Sequence, residues 1–345
     1  MAKKERIKLI KEIEKLRNSK VLTYITSTRQ NQEVQMSIDT IRKFYEHLKV
    51  IPDKDRGKIK IDLLIVSNGG DGTVPWRLVT LIREFASEFC VLIPYRAFSA
   101  ATLTALGADK IFMHPMGMLG PTDPTVANAF NPDDPKNPQR KLGISVEDVT
   151  AYISLIKEDA GITHEDELIQ AINILADKIH PLSLGNVKRS LSQSKMMAQK
   201  LLSLHMSKAK DQHSIDEIVE NLTSKLYYHG HPINRKEAKE QIGLKNIEYA
   251  DINLEKLMWE LYLQYENELK SEEPFDPLIE FVANNKNLAI NTSANCNISC
   301  KLAFIESSER TDYVAMDFDI FGTKQANGSY QIIPNITNRG WKIEK

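Results

Sequence analysis

Apolar residues follow two alternating patterns through the first third of the chain. Four short apolar runs predict β-strands, and the runs at 61–67 and 90–95 are continuous, as in strands buried on both faces of a sheet. The predicted strands are residues 21–26, 61–67, 90–95 and 110–115. Apolar residues at helical spacing separate them and predict helices over residues 36–48, 76–89 and 99–107. Strands and helices that alternate through short connections predict an α/β fold with a parallel sheet.

The rest of the chain changes pattern twice. Residues 126–139 are rich in Asn, Pro and Asp and predict a long loop, and residues 146–269 are mainly helical, with breaks near Gly161, His180 and residues 228–232. Runs of β type return after residue 275, the first of them at residues 288–291. The predicted divisions are an N-terminal helix (1–20), a catalytic core (21–205), a helical segment (206–270) and a small β-rich C-terminal appendage (271–345).

Composition narrows the classes of function. Lys and Arg number 45 against 46 Asp and Glu, which argues against an electrostatic nucleic-acid binder. Three cysteines are too few for a disulfide scaffold, and the lone pair Cys296 and Cys300 lacks the further ligands of a metal site, so we predict no metal. The first 20 residues are charged and lack the apolar core of a secretory signal, and no run approaches the roughly 20 apolar residues of a membrane span. These features predict a cytoplasmic protein without membrane insertion.

Ser99 is the first candidate for chemistry. It follows a predicted buried strand and precedes the small residues Ala100, Ala101 and Thr102 at the start of a helix. A serine there is typical of a helix N-cap. The same position lies beyond the carboxyl end of a parallel strand, where open α/β sheets bind ligands. Both interpretations, a cap and a nucleophile, stay open at this point.

Gly69 and Gly70 form the second element. They follow the preceding strand, so we expect them beside Ser99 in space. Backbone N–H groups at a glycine pair are free to face a developing oxyanion. A tight strand-to-helix turn is the structural alternative, and the NGGDG sequence fits neither of the common phosphate-binding motifs.

The order of these motifs resembles a known family. SNGGDG, YRAFSAATLTALGADKIFM, GMLGPTDP, HPLSLGNVKRSLSQS and YYHGHPINRKEAKEQIGL together resemble the Clp protease proteolytic subunit and signal peptide peptidase A group. The branch that is most similar is the serine dehydrogenase proteinase family, over residues 21–244. The resemblance implies a crotonase-like and Clp-like fold, a serine acyl-transfer mechanism without cofactor, a protein or peptide substrate, and homo-oligomers.

The resemblance also assigns residues. Ser99 matches the nucleophile, Gly69 and Gly70 match the glycine pair of the oxyanion hole, and the Ala100 N–H is the expected second donor. Thr122 stands where the Clp subunit has its histidine base. Signal peptide peptidases use a lysine instead, which favours Lys178 as the base, with Lys157 second; a desolvated lysine can accept the serine proton.

Three functions follow, of which peptide-bond hydrolysis through an acyl-enzyme on Ser99 is the primary hypothesis. A crotonase-like acyl-CoA enzyme would need an acidic residue over the substrate, and Asp71 and Asp123 are the nearby options. An inactive oligomeric scaffold is the third. His229 and His231 are more typical of a helix start or subunit contact than of a metal site, since no third ligand accompanies them.

Overall fold

The computed structural model describes residues 2–135, 137–223 and 230–344, and all statements below concern these residues. They form fifteen strands, most of them short. The strands are β1 (Lys20–Thr26), β2 (Ile59–Val66), β3 (Ala86–Ile93), β4 (Arg96–Ala97), β5 (Lys110–Met113), β6 (Met118–Leu119), β7 (Thr125–Val126), β8 (Asp133–Asp134), β9 (Asn137–Lys141), β10 (Ile144–Ser145), β11 (Ile233–Asn234), β12 (Ile247–Tyr249), β13 (Ser293–Glu306), β14 (Thr311–Lys324) and β15 (Tyr330–Ile343).

Eleven α-helices accompany the strands within the same described ranges. The helices are α1 (Ala2–Arg17), α2 (Thr40–Leu48), α3 (Val74–Arg83), α4 (Ala100–Leu106), α5 (Val146–Ser154), α6 (Glu165–Lys178), α7 (Pro181–Leu202), α8 (Lys208–Thr223), α9 (Arg235–Glu240), α10 (Ile252–Leu269) and α11 (Pro277–Asn284). A π-helical turn, Leu155–Asp159, continues α5. None of these helices is both long and apolar enough to cross a bilayer.

Eight strands form one mixed sheet in the order β12-β5-β3-β2-β1-β13-β14-β15. The first five are parallel to one another, and β1, β13, β14 and β15 are paired antiparallel. The predicted α/β class with a parallel sheet is therefore confirmed. Since parallel strands need crossover connections, helices lie between them and cover the sheet.

The central strands are buried on both faces, as their continuous apolar runs predict. Along β2, Leu63 and Ile65 belong to a core beneath α2, α3, α4, α7 and α8. Leu64 and Val66 alternate with them and belong to the opposite core, beneath α1 and α10. Successive side chains of a strand point to opposite faces, so a strand between two helical layers requires apolar residues at every position.

Three predicted boundaries were wrong. Residues 36–39 precede α2 instead of beginning it, because Met36 pairs with Gly70 as extended chain. The helix predicted over 76–89 ends at Arg83, and residues from Ala86 onward pair with β2, so tertiary pairing overrides helical spacing there. Residues 126–139 are not all loop, since β8 and β9 form a short hairpin.

The C-terminal strands continue the central sheet. β13 pairs with β1 from Thr23↔Glu306 to Thr26↔Ala303, and β14 and β15 follow in order. The first of the predicted β-type runs, residues 288–291, forms no strand. The division of the chain into four parts stays a prediction.

A buried ion pair joins the N-terminal helix to these strands. Arg6 of α1 donates to Glu306 of β13 at 2.8 Å, and both side chains are 0% exposed. The Tyr265 hydroxyl of α10 also donates to Glu306, at 2.6 Å, and the guanidinium of Arg6 lies 4.8 Å from the ring centre of Phe304. Burial alone would lower the pKa of Arg6, but Glu306 raises that pKa above its usual value. The guanidinium therefore stays charged in the core.

Replacing Arg6 with Ala tests how much this pair contributes. The substitution leaves the Glu306 carboxylate buried without its cation, so we expect the free energy of unfolding to fall by about 3–5 kcal/mol. Lys8→Ala on the same helix is the matched control, because Lys8 is exposed, and it should change that free energy by less than about 0.5 kcal/mol. Urea denaturation followed by circular dichroism measures both. Equal losses in the two variants would contradict a special role for the buried pair.

Candidate active site

Ser99 lies at a strained turn between the sheet and a helix. β3 ends at Ile93, and the chain passes through β4 to Ser99, which occupies the N-cap position of α4. The backbone of Ser99 has φ 52° and ψ −114°, a region that residues other than glycine rarely adopt. Its side chain makes no capping hydrogen bond, so the cap interpretation of this serine is not supported. The hydroxyl remains available for another partner.

Gly69 lies directly against Ser99, as the sequence predicted. A Cβ at Gly69 would stand 2.7 Å from Ser99 Cβ and 2.9 Å from the Ala100 nitrogen, and its φ of 95° also favours glycine. The Gly69 N–H donates to the buried Ser67 Oγ at 3.0 Å. Within the described residues, the N–H groups of Gly70 and Ala100 donate no hydrogen bond. Two free amides therefore accompany Ser99.

An extended segment before α2 holds the glycine pair from the other side. The Met36 N–H donates to the Gly69 carbonyl at 2.8 Å, and the Asp71 N–H donates to the Met36 carbonyl at 2.9 Å. A Cβ at Gly70 would lie 2.5 Å from both the nitrogen and the oxygen of Met36, and φ at Gly70 is 151°. No side chain fits between the two backbones. The sequence analysis missed this contact because it assigned Met36 to a helix.

Ser99 and the glycine pair open into a cavity of about 450 Å³. Its lining is mainly polar. The described lining residues are Glu33, Val34, Gln35, Asn68, Gly69, Gly70, Asp71, Gly72, Ser99, Leu103, Thr122, Pro124, Thr125, Ser190, Gln193 and Ser194. The charged groups among them are the exposed carboxylates of Glu33 and Asp71, and Asp71 accepts hydrogen bonds from Thr73.

The loop after β6 forms one wall of the cavity. Thr102 of α4 donates to the carbonyls of Ala97 and Gly120 and accepts from the Gly120 N–H at 3.0 Å, which fixes the loop to the helix that carries Ser99. Thr122 follows on this loop and is buried, and its Oγ1 has no hydrogen-bond partner among the described residues. The position predicted to replace the Clp histidine therefore lines the Ser99 cavity, but it carries a threonine whose Oγ1 is itself buried.

One face of α7 forms the adjoining wall. Ser190, Gln193 and Ser194 are spaced three and four residues apart, so they lie on the same side of the helix. Ser194 Oγ donates to the Thr122 carbonyl at 2.5 Å, which joins α7 to the loop. The sequence analysis used this segment only for its family likeness. The spacing of small polar residues was the signal that could have indicated a site.

The structure does not bring either candidate lysine to Ser99. Lys178 is the last residue of α6, Lys157 lies in the π-helical turn, and both side chains are exposed. Neither lines the cavity that contains Ser99. Both assignments stay predictions.

The histidines near the core lie away from this cavity. His114 stacks on Trp259 with ring centres 5.0 Å apart, and burial lowers its pKa. His231 contacts Glu237 at 2.6 Å and lies three residues before Asn234, the N-cap of α9, so it is near a helix start as the sequence indicated. His229 lies outside the described residues. The described residues hold no group of three metal-binding side chains.

Comparisons with known proteins give two types of relatives. Two uncharacterized proteins of Methanocaldococcus jannaschii are each 31% identical, over 160 and 127 residues, which are 45% and 35% of this chain. Those matches cover 55% and 42% of the relatives, so the chain spans about half the length of the curated relatives it matches. A membrane-bound stomatin-specific protease, solved as a serine-to-alanine mutant, is similar at 18% identity over 40% of this chain and 63% of that chain, with a TM-score of 0.26.

A family model of ClpP-like SDH-type serine proteinases matches residues 1–199. That span is more than half of the 345 residues and includes Gly69, Gly70 and Ser99. The resemblance drawn from the sequence motifs is thereby confirmed. The chain belongs to the family of ClpP-like SDH-type serine proteinases.

Proposed function

We propose that this protein is a serine endopeptidase that hydrolyses peptide bonds through an acyl-enzyme on Ser99. The observation that carries the proposal is the conformation of Ser99, with φ 52° and ψ −114° and no capping hydrogen bond. Strained residues of this kind concentrate at active sites, and a nucleophilic serine on a sharp strand-to-helix turn is a recurring arrangement. Membership of a serine proteinase family supports the same reaction class.

The oxyanion hole in this proposal uses the N–H groups of Gly70 and Ala100. Both amides lack an acceptor in the described part of the chain, and both belong to residues in contact with the Gly69–Ser99 junction. Gly69 takes a different role, because Ser67 already accepts its N–H. Its missing side chain allows the loop after β2 to approach Ser99.

The proposed reaction has two stages. Ser99 Oγ attacks the carbonyl carbon of the peptide, its proton passes to a base, and the two amides stabilise the oxyanion. The C–N bond then breaks, and the amine leaves with a proton from that base. Water, deprotonated by the same base, attacks the acyl ester and releases Ser99. No cofactor or metal is required by these steps.

The base in this proposal is a lysine, with Lys178 and Lys157 as the candidates. Both are exposed and outside the cavity, so either would reach Ser99 only after a movement of residues 146–180 or from a second copy of the chain. The family resemblance implies homo-oligomers, which makes the second route testable. Glu33, which is already in the cavity, is the competing base.

Labelling with a fluorophosphonate probe and casein cleavage test the nucleophile. We expect Ser99→Ala to abolish labelling at residue 99 and to lower casein cleavage by at least about 10³-fold, because the acyl-enzyme cannot form. Ser307→Ala is the matched control, since Ser307 Oγ lies 2.9 Å from His47 Nδ1 and is therefore a second serine beside a histidine. The control should leave casein cleavage unchanged. Persistent cleavage by Ser99→Ala, with loss in Ser307→Ala, would overturn the proposal.

Gly69→Ala tests the approach of the two backbones. A Cβ 2.7 Å from Ser99 Cβ must displace the serine or the glycine loop, so we expect casein cleavage to fall by about 10²-fold or more. Gly72→Ala is the control in the same loop, because a Cβ there meets no atom within 4 Å. Circular dichroism of both variants checks that each is folded. If the two variants cleave casein equally well, Gly69 does not position the site.

Single substitutions Lys178→Ala, Lys157→Ala and Glu33→Gln assign the base. We expect one lysine variant to lose at least about 10²-fold in kcat/KM, because the proton transfer loses its acceptor. In the wild-type protein kcat/KM should rise with pH as the base loses its proton, and this rise should disappear in that variant alone. Lys188→Ala provides an exposed lysine as control. A loss confined to Glu33→Gln would move the assignment to the carboxylate.

A further inference from the structure

A second cavity, of about 320 Å³, lies at the amino ends of β1 and β2, whereas Ser99 lies beyond the carboxyl ends of the parallel strands. It is enclosed by α2 and by the first residues of β1 and β2, whereas Ser99 follows the carboxyl end of β3. Its walls are largely apolar. The described lining residues are Lys20, Val21, Leu22, His47, Leu48, Val50, Ile51, Pro52, Asp55, Ile59, Ile61, Ser307 and Glu309.

Three buried polar side chains converge at one end of this cavity. Ser307 Oγ lies 2.9 Å from His47 Nδ1, and His47 Nε2 lies 3.2 Å from Asp312 Oδ2. Ser307, His47 and Asp312 are 4%, 2% and 0% exposed. Ser307 and His47 line the cavity itself. A hydroxyl and an imidazole thus line a largely apolar space.

The charged groups beside Ser307 and the pair Lys20 and Glu309 are already paired, whereas Asp55, a half-buried lining residue, has no ion pair among the described residues. Arg310 donates to Asp312 Oδ1 at 3.0 Å, and Lys43 lies 3.4 Å from the same oxygen. Burial would raise the pKa of Asp312, but the neighbouring His47 and Arg310 hold that pKa well below its usual value. At the rim, Lys20 pairs with Glu309 at 2.7 Å. A charge placed beside Ser307 would lose its hydration without gaining a free counter-charge, because Asp312, the carboxylate next to His47, is already paired.

We propose that this cavity is a binding site for a small neutral amphipathic molecule, with an apolar body and one hydroxyl or carbonyl. The apolar body would occupy the space between Leu22, Leu48 and Ile61, and the polar group would hydrogen-bond to Ser307 beside His47. An apolar pocket with a few convergent polar groups is the usual form of a small-molecule site, and its volume falls in the range of such sites. The proposal does not depend on the reaction at Ser99.

Isothermal titration calorimetry with 4-propylphenol tests the site in the full-length protein. We expect one molecule to bind per chain, and Val50→Trp to abolish that binding, because Val50 is 52% exposed at the cavity mouth and a larger side chain closes it. Ser307→Ala should weaken binding about fivefold to tenfold, as for the loss of one hydrogen bond. Two control variants should bind 4-propylphenol as the wild type does. They are Ile279→Trp, at an exposed residue of α11, and Ser99→Ala.

Charged analogues of the same size complete the test. We expect 4-propylbenzoate and 4-propylbenzylamine to bind at least tenfold more weakly than 4-propylphenol. The proposal is overturned if 4-propylphenol does not bind, if Val50→Trp leaves binding unchanged, or if either charged analogue binds more tightly. Circular dichroism of each variant distinguishes a blocked cavity from an unfolded chain.

Discussion

The candidate active site depends on the close approach of two backbone segments, at Gly69 and at Ser99. A Cβ on Gly69 would overlap Ser99 Cβ, the Phe98 carbonyl and the Ala100 nitrogen, so the approach exists only because residue 69 has no side chain. The Ser67 N–H donates to the Arg96 carbonyl, and the Phe98 N–H donates to the Ser67 carbonyl. These two hydrogen bonds fix the register of the segments that lead to Gly69 and to Ser99. Met36 closes the opposite side of the glycine pair.

The sheet supplies the rigidity that the junction needs. β2 and β3 are buried on both faces between two helical layers, and their carboxyl ends lead directly to Gly69 and to Ser99. On the far side of β1, the antiparallel strands are held by the buried pair of Arg6 and Glu306. A buried pair of this type contributes little over an apolar core, but the removal of one partner is costly. The Arg6–Glu306 pair therefore fixes where the C-terminal strands pack against α1.

Only the parts of this arrangement that depend on local sequence patterns could be predicted. Continuous apolar runs identified the parallel strands, and the positions of Gly69 and Ser99 after neighbouring strands placed them together. The extended segment at Met36 could not be read in this way, because its apolar residues fit helical spacing and only tertiary pairing with Gly70 holds it extended. Ser190 and Ser194 come from a helix about 90 residues beyond Ser99, and no local pattern relates such distant residues. The lysines were inferred by likeness alone, and their side chains are exposed.

The sequence position of Ser99 is compatible with a helix cap and with a nucleophile, and its backbone conformation argues against the cap. A capping serine has an extended backbone and accepts a hydrogen bond from the first turn of its helix, so it costs no strain. Ser99 has a positive φ, makes no such bond, and belongs to a class of conformations that cost about 1–3 kcal/mol. Strain of this size persists only where neighbours impose it, and here Gly69 and the bond from the Leu103 N–H to the Ser99 carbonyl do so. The fold thus maintains Ser99 in an unfavourable backbone conformation. In that conformation the Ser99 hydroxyl makes no capping hydrogen bond, and the neighbouring N–H groups of Gly70 and Ala100 have no acceptor among the described residues.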